Sequence, residues 1–303
     1  MPCADYSDHG FWTTENRPAD FFDGKLKWAN IFKESPYAYP GEFRFIHFTS
    51  KEGLLGIIDS GYIRTTAIGN LAQEHAEFDG LKCFTADNNL RRQLQSKTET
   101  LKEVFTLSMC ESTPEMQNSD WMWTKYGQQH EGAFLEFSMA QEETFRHVVG
   151  KVIYDDNHHH LQQLNDRIID FQRAYKFDTN NYPGLFAELL AYHKPSCFSI
   201  ENEVRWYYRP NPHLKHTIVV GEHPTSENQM RPHSRIFLRN TNDEIPGITP
   251  TSIPEETIPS IYLHRVVLGS KNTADDEARL RVSLRNLTKE KGYRFEVVRW
   301  GSD

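Results

Sequence analysis

Short segments that alternate apolar and polar residues recur along this chain. A period of two commits such segments to strands, because successive side chains then point to opposite faces. The clearest are Glu42-Phe43-Arg44-Phe45-Ile46-His47-Phe48-Thr49, Glu103-Val104-Phe105-Thr106-Leu107-Ser108-Met109-Cys110, Ala133-Phe134-Leu135-Glu136-Phe137, Phe198-Ser199-Ile200-Glu201-Asn202-Glu203-Val204-Arg205-Trp206 and the run over 258–268. Between them lie stretches with helical spacing and their own caps. Ser50 precedes a stripe of Leu54, Leu55, Ile57 and Ile58 that Gly61 ends. Ser119 or Asp120 opens an aromatic helix that Gly127 stops, and Thr273 opens a helix over 274–288. Strands and helices follow one another in no regular order. The pattern predicts an α+β fold: a mixed, mostly antiparallel central sheet flanked by helices.

The chain has 303 residues, enough for a sizeable core, and 13% of them are aromatic. Residues 1–40 hold Pro18, Pro36 and Pro40 and read as an N-terminal arm with a short helix over 20–32. Residues 41–303 read as a single α+β domain. Within it, 222–259 carries six prolines and is expected to be a long, mobile loop, with a strand at 235–239. Further helices are expected over 88–96, 161–175 and 184–193. The net charge of −8 argues against broad, non-specific nucleic-acid binding. Four cysteines stand far apart without a CxxC pair, which suits reduced thiols in a cytoplasmic protein. No run of apolar residues is long enough for a membrane span, so no membrane partner is expected.

Four pieces can carry chemistry. His47-Phe48-Thr49 ends a strand just before a capped helix, a common place for a polar ligand group. Trp123 and Tyr126 stand three apart on the aromatic helix and share a face, which suits either stacking of a planar ring or core packing. Lys194 is the third piece. In the stretch 198–206, strand alternation would place Glu201, Glu203 and Arg205 on one face, either as a solvated edge or as the floor of a polar site. No metal is predicted: His158-His159-His160 beside Asp155-Asp156 lacks ligand spacing and reads as a solvated loop. GxGxxG, Walker A, GxSxG and HExxH patterns are all missing.

In this order the pieces resemble the bacterial family called domain of unknown function 2971. The likeness covers roughly residues 43–290. It rests on His47-Phe48-Thr49, Gly53-Leu54-Leu55-Gly56-Ile57-Ile58-Asp59-Ser60-Gly61, Trp123-Thr124-Lys125-Tyr126-Gly127, Lys194 and Glu201-Asn202-Glu203-Val204-Arg205. The Asn-Asp-Pro-x-Glu segment frequent in that family has no counterpart in 70–79. The family's outline is itself similar to ADP-ribosyltransferases, with a first-strand His, a middle aromatic and a late-strand Glu in E-x-E form.

The resemblance implies an NAD-dependent ADP-ribosyltransferase or NAD glycohydrolase, acting as a bacterial toxin or phage-defence effector. NAD would be consumed as a substrate, and the acceptor would be a protein, a nucleic acid or water. Glu203 would be the catalytic carboxylate that stabilises an oxocarbenium-like ribose. Glu201 would be the acceptor-side base, and His47 with Thr49 would hold the ribose and nicotinamide end. Tyr62, Trp123 or Tyr126 would stack the nicotinamide, while Arg64 and Arg205 would pair with diphosphate or, for Arg205, hold Glu203 ionised. Two alternatives stay open. One is a non-catalytic module that binds a nucleotide, nucleic acid or protein; the other is a metal-dependent phosphodiesterase or nuclease built on the same carboxylates.

Overall fold

A computed structural model describes residue 39 and residues 44–67, 105–139, 147–156, 159–160, 192–208, 219–224, 230–242, 244–245 and 258–301. In chain order the elements are β1 (Arg44–Thr49), α1 (Lys51–Ser60), β2 (Tyr62–Ala67), β3 (Phe105–Glu111), α2 (Pro114–Gln117), α3 (Asp120–Lys125), β4 (Ala133–Met139), β5 (His147–Lys151), β6 (Ile153–Tyr154), β7 (His193–Lys194), β8 (Glu203–Tyr208), β9 (Val219–Pro224), β10 (Met230–Leu238), β11 (Ser260–Leu268), α4 (Ala274–Lys291) and β12 (Glu296–Arg299). Among the described residues the structure is mixed α/β, with a large, mostly antiparallel sheet and few helices. The helices expected over 20–32, 88–96, 161–175 and 184–193 and the arm over 1–40 lie outside the described residues, apart from Tyr39, Tyr192 and His193; His193 belongs to β7.

The described residues divide into two compact units. The first lies within Gly41–Thr65, Leu107–Glu142 and Pro210–Asp303, the second within Met1–Pro40, Thr66–Thr106 and Glu143–Arg209. In the first unit β4 is the central strand. It pairs antiparallel with β1 through Phe45↔Phe137 and His47↔Leu135, and with β11 through Val266↔Leu135 and Val267↔Phe134. Alternation sends Ile46, Phe48, Phe134 and Val267 to one face, where Met116 of α2 and Met122 and Trp123 of α3 complete a core cluster. Phe48 meets Trp123 edge-on at 5.2 Å between ring centroids.

The expected helix caps are present. Ser50 Oγ accepts the Gly53 N–H at 3.0 Å, and Gly61 closes α1 in the left-handed region at φ 77°. Ser119, not Asp120, caps α3. Thr273 and Asp276 form a reciprocal capping box on α4, which runs to Lys291 before Gly292 ends it. The turn between α3 and β4 is left-handed: Gln128, Gln129 and His130 have φ of 50°, 53° and 70°. It is held by the Trp123 ring stacked on His130 (centroids 5.6 Å apart) and by Asp120 Oδ1, 2.9 Å from His130 Nε2.

In the second unit β8 pairs antiparallel with β5, from His147↔Tyr208 to Lys151↔Val204. Thr106 Oγ1 of β3 donates to the Trp206 carbonyl at 2.8 Å. The expected strand over 198–206 is corrected here. Ser196–Glu201 is a tight helical turn, and Asn202 stands in the left-handed region at φ 41° and ψ 47°. Within the turn the Phe198 N–H donates to the Pro195 carbonyl and the Asn202 N–H to the Ser199 carbonyl, while the Ser196 N–H is taken by Asp156 Oδ1 from a distant segment. Asn tolerates that backbone better than most residues, and β8 starts only at Glu203. The expected loop over 222–259 also holds more strand than its prolines suggested: β9 reaches Pro224 and β10 spans Met230–Leu238.

Gly132 marks a close backbone approach beside the left-handed turn. A Cβ there would collide with the Thr49 carbonyl oxygen and lie 3.0 Å from that of Gly127. Gly132→Ala is therefore expected to lower stability by about 1–3 kcal/mol. Gly56, inside α1, has open space where a methyl group would stand, with nothing within 4 Å. Gly56→Ala is expected to raise stability by about 0.5–1 kcal/mol. Urea unfolding midpoints of the two variants against wild type check both signs.

Candidate functional site

The densest charge cluster lies in the second unit and is assembled by three short pieces of chain. The parallel pair β6–β7 sets Lys194 beside Tyr154. The turn Ser196–Glu201 folds Glu201 back toward it, and β8 brings Glu203 and Arg205, two residues apart and so on one strand face. Lys194 Nζ lies 2.7 Å from Glu201 Oε2 and 2.6 Å from Glu203 Oε2. Arg205 donates to both Glu203 oxygens, through Nε at 2.7 Å and Nη2 at 3.2 Å. The Glu203 N–H is accepted by the Tyr154 hydroxyl at 2.8 Å, and its carbonyl accepts the Val152 N–H at 3.0 Å. The Lys194 ammonium stands 5.7 Å from the centre of the Phe198 ring.

Two carboxylates face one ammonium and one guanidinium. All four side chains are out of water to a high degree: Arg205 is 1% exposed, Glu201 and Glu203 4% each, and Lys194 12%. Burial alone would push the Glu203 pKa up. The Arg205 and Lys194 charges and hydrogen bonds outweigh it and bring the value down to about 2. For Lys194 burial works downward and Arg205 adds to it, but the two carboxylates win and hold the ammonium above its ordinary range. The result is a carboxylate that is ionised at neutral pH, with its most exposed partner on a flexible four-carbon stem.

The other residues singled out from the sequence lie in the first unit. His47 and Thr49 share one face of β1, opposite the face that carries Phe48 and Trp123. His47 Nδ1 donates to the Ser108 carbonyl at 3.0 Å, and burial lowers the His47 pKa against that bond. Trp123 has no exposed surface and belongs to the core, so its ring has no open face to offer a nicotinamide. Tyr126 is 40% exposed and meets Trp121 edge-on, while Trp123 is buried, so the two rings do not together line an open face. Tyr62 has the Arg235 guanidinium 4.7 Å above its ring and Phe237 at its edge. Arg64 is exposed on β2.

The structure thus joins Glu201, Glu203 and Arg205 and adds Lys194 and Tyr154 to them. Tyr154 carried no sequence signal, because its place depends on a two-residue strand pair. Among the described residues no three His, Cys, Asp or Glu side chains gather as a metal site would require. No helix among them is long and apolar enough to cross a membrane. Comparison with known proteins returned nothing: no family model, no curated protein and no solved structure matches the chain.

Two outcomes are expected. Glu203 has a folded pKa near 2 against an ordinary 4.5, so it contributes stability above pH 4.5 that is lost as pH falls toward 2. The contribution is on the order of 3 kcal/mol. In Glu203→Gln Arg205 loses its bidentate carboxylate and Lys194 loses one of its two, which costs about 3–5 kcal/mol at pH 7. Urea unfolding should show the gap between wild type and variant shrinking from pH 5 to pH 2.5. A gap that stays constant would contradict the assignment. Separately, Trp123→Ala should cost about 3–5 kcal/mol as a core deletion, and Tyr126→Ala less than about 1 kcal/mol.

Proposed function

We propose that the protein cleaves the nicotinamide–ribose bond of NAD, as an ADP-ribosyltransferase or NAD glycohydrolase, with Glu203 as the carboxylate that stabilises the ribosyl cation. The observation that carries this reading is the state of Glu203: ionised at any physiological pH and fixed by a bidentate arginine. Loss of nicotinamide leaves positive charge on the ribose, and a preorganised anion in a low-dielectric surrounding is the group that lowers its energy. Arg205 holds the carboxylate from within. Lys194, the most exposed member, occupies Oε2 where a ribose hydroxyl would bond, and its long stem lets it give way. Glu201, relieved of the same ammonium, would then take the proton of the attacking acceptor, whether a protein side chain, a nucleic-acid base or water. The reading rests on the residues of the second unit alone, and the likeness to the bacterial family is its other support.

One observation favours a different reading. Both Glu203 oxygens are already bonded, to Arg205 and Lys194. Such a network is also what a non-catalytic binding module would use to fix the register of its strands.

Nicotinamide release from NAD separates the two. The enzyme reading expects release by wild type and a loss of at least about 100-fold in both Glu203→Gln and Glu201→Gln. Each variant is to be assayed at a temperature where circular dichroism shows it native. NAD bound without release would support the binding module, and equal release from all three proteins would exclude Glu203 as the catalytic carboxylate.

A further inference from the structure

A second polar cluster lies in the first unit, on the sheet face that also carries Ile46, Phe48 and Phe134. Arg44 stands opposite Ser138, and Ile46 opposite Glu136, across the β1–β4 pair. On the other side of β4 the register slips between Leu263 and Arg265. Leu263 pairs with Phe137 and Arg265 with Glu136, which leaves His264 as the extra residue of a β-bulge.

The bulge changes what the strand presents. In a regular strand His264 and Arg265 would point to opposite faces. Here both reach the same one: His264 Nε2 lies 2.8 Å from Ser138 Oγ, and Arg265 Nε donates to Glu136 Oε2 at 2.8 Å. Arg265 Nη2 donates to Gln117 Oε1 at 3.1 Å, Ser112 Oγ donates to Glu136 Oε1 at 2.7 Å, and Gln117 Nε2 donates to Ser112 Oγ at 3.0 Å. Glu136 and Arg265 are therefore committed to each other. Arg44 is not held so closely: its side chain is 53% exposed and its Nε lies 3.9 Å from Glu136. Ser138 and His264 are half-buried.

A serine hydroxyl at hydrogen-bond distance from the Nε2 of an imidazole is the nucleophile–base relation of covalent catalysis. Burial, with the Arg44 charge added, lowers the His264 pKa against the pull of Glu136, so the ring is neutral at pH 7 and able to take a proton. The groups that face it are Arg44 of β1, Glu136 and Ser138 of β4, and Tyr262 and Arg265 of its own strand.

We propose that Ser138 is a nucleophile activated by His264, in a site for esters or activated acyl compounds whose anionic group pairs with Arg44. Ser138 Oγ bonds to the acyl carbon while its proton passes to His264 Nε2. The bond to the leaving oxygen breaks with its electron pair, and that oxygen takes the proton from His264. Water then adds to the acyl-serine, again giving its proton to His264. The acid leaves and Ser138 recovers the proton. None of these residues is used in the NAD reading, so either proposal can fail without the other.

The test is labelling of the full chain with a fluorophosphonate, which phosphonylates activated serines with loss of fluoride, followed by mass spectrometry of the digest. The expected result is one adduct, on Ser138, absent from Ser138→Ala and formed at least about 100-fold more slowly in His264→Gln. The labelling rate of wild type should rise with pH and level off below pH 6.5, the ordinary value that His264 lies beneath. Arg44→Ala should raise KM for mono(4-nitrophenyl) succinate and leave that for 4-nitrophenyl acetate unchanged. Circular dichroism and melting curves like those of wild type show that Ser138→Ala and His264→Gln are folded. An unlabelled wild type, an adduct that survives Ser138→Ala, or a His264→Gln protein that labels at the wild-type rate would each overturn the proposal.

Discussion

A single ammonium group decides how the second unit is wired. Lys194 Nζ sits between the carboxylates of Glu201 and Glu203 and is within ion-pair distance of both. Charges removed from water cost several kcal/mol each unless they are closely paired. That constraint helps tie together three short pieces of chain: a two-residue strand, a six-residue turn and the first residues of β8. It also explains the left-handed Asn202, since an extended residue there would carry Glu201 along the strand instead of back to Lys194.

The first unit meets its constraint by packing. Trp123, Phe48 and Phe134 interlock on one face of β1 and β4, and the backbone at Gly132 and Thr49 approaches too closely for a side chain. The left-handed turn at 128–130 follows from that approach, because the chain must leave α3 and enter β4 within a few residues. Farther along the same face the apolar core gives way to polar side chains. The bulge at His264 is what lets a histidine and an arginine from adjacent positions both serve that polar end.

Much of this was legible in the residues. Strand alternation located β1, β3, β4 and β11, and the caps at Ser50, Gly61, Ser119 and Thr273 were readable because a cap needs only a few consecutive residues. The pairing of Glu203 with Arg205 was also visible, as two residues on one strand face are neighbours wherever the strand lies. The helical turn over Ser196–Glu201 was not visible. Its residues alternate as a strand does, and the Asp156 bond to the Ser196 N–H that favours the turn comes from forty positions away.

What the sequence determined by itself is local: which segments are extended or helical, where helices begin and end, and which side chains share a face. These follow from steric and hydrogen-bonding preferences that act over one to four residues. Only the tertiary structure decided that Trp123 is core and Tyr126 is surface, that Lys194 joins two glutamates, and that a bulge sets His264 against Ser138. Each of those depends on strand register and on burial, and both are settled by segments distant in the chain.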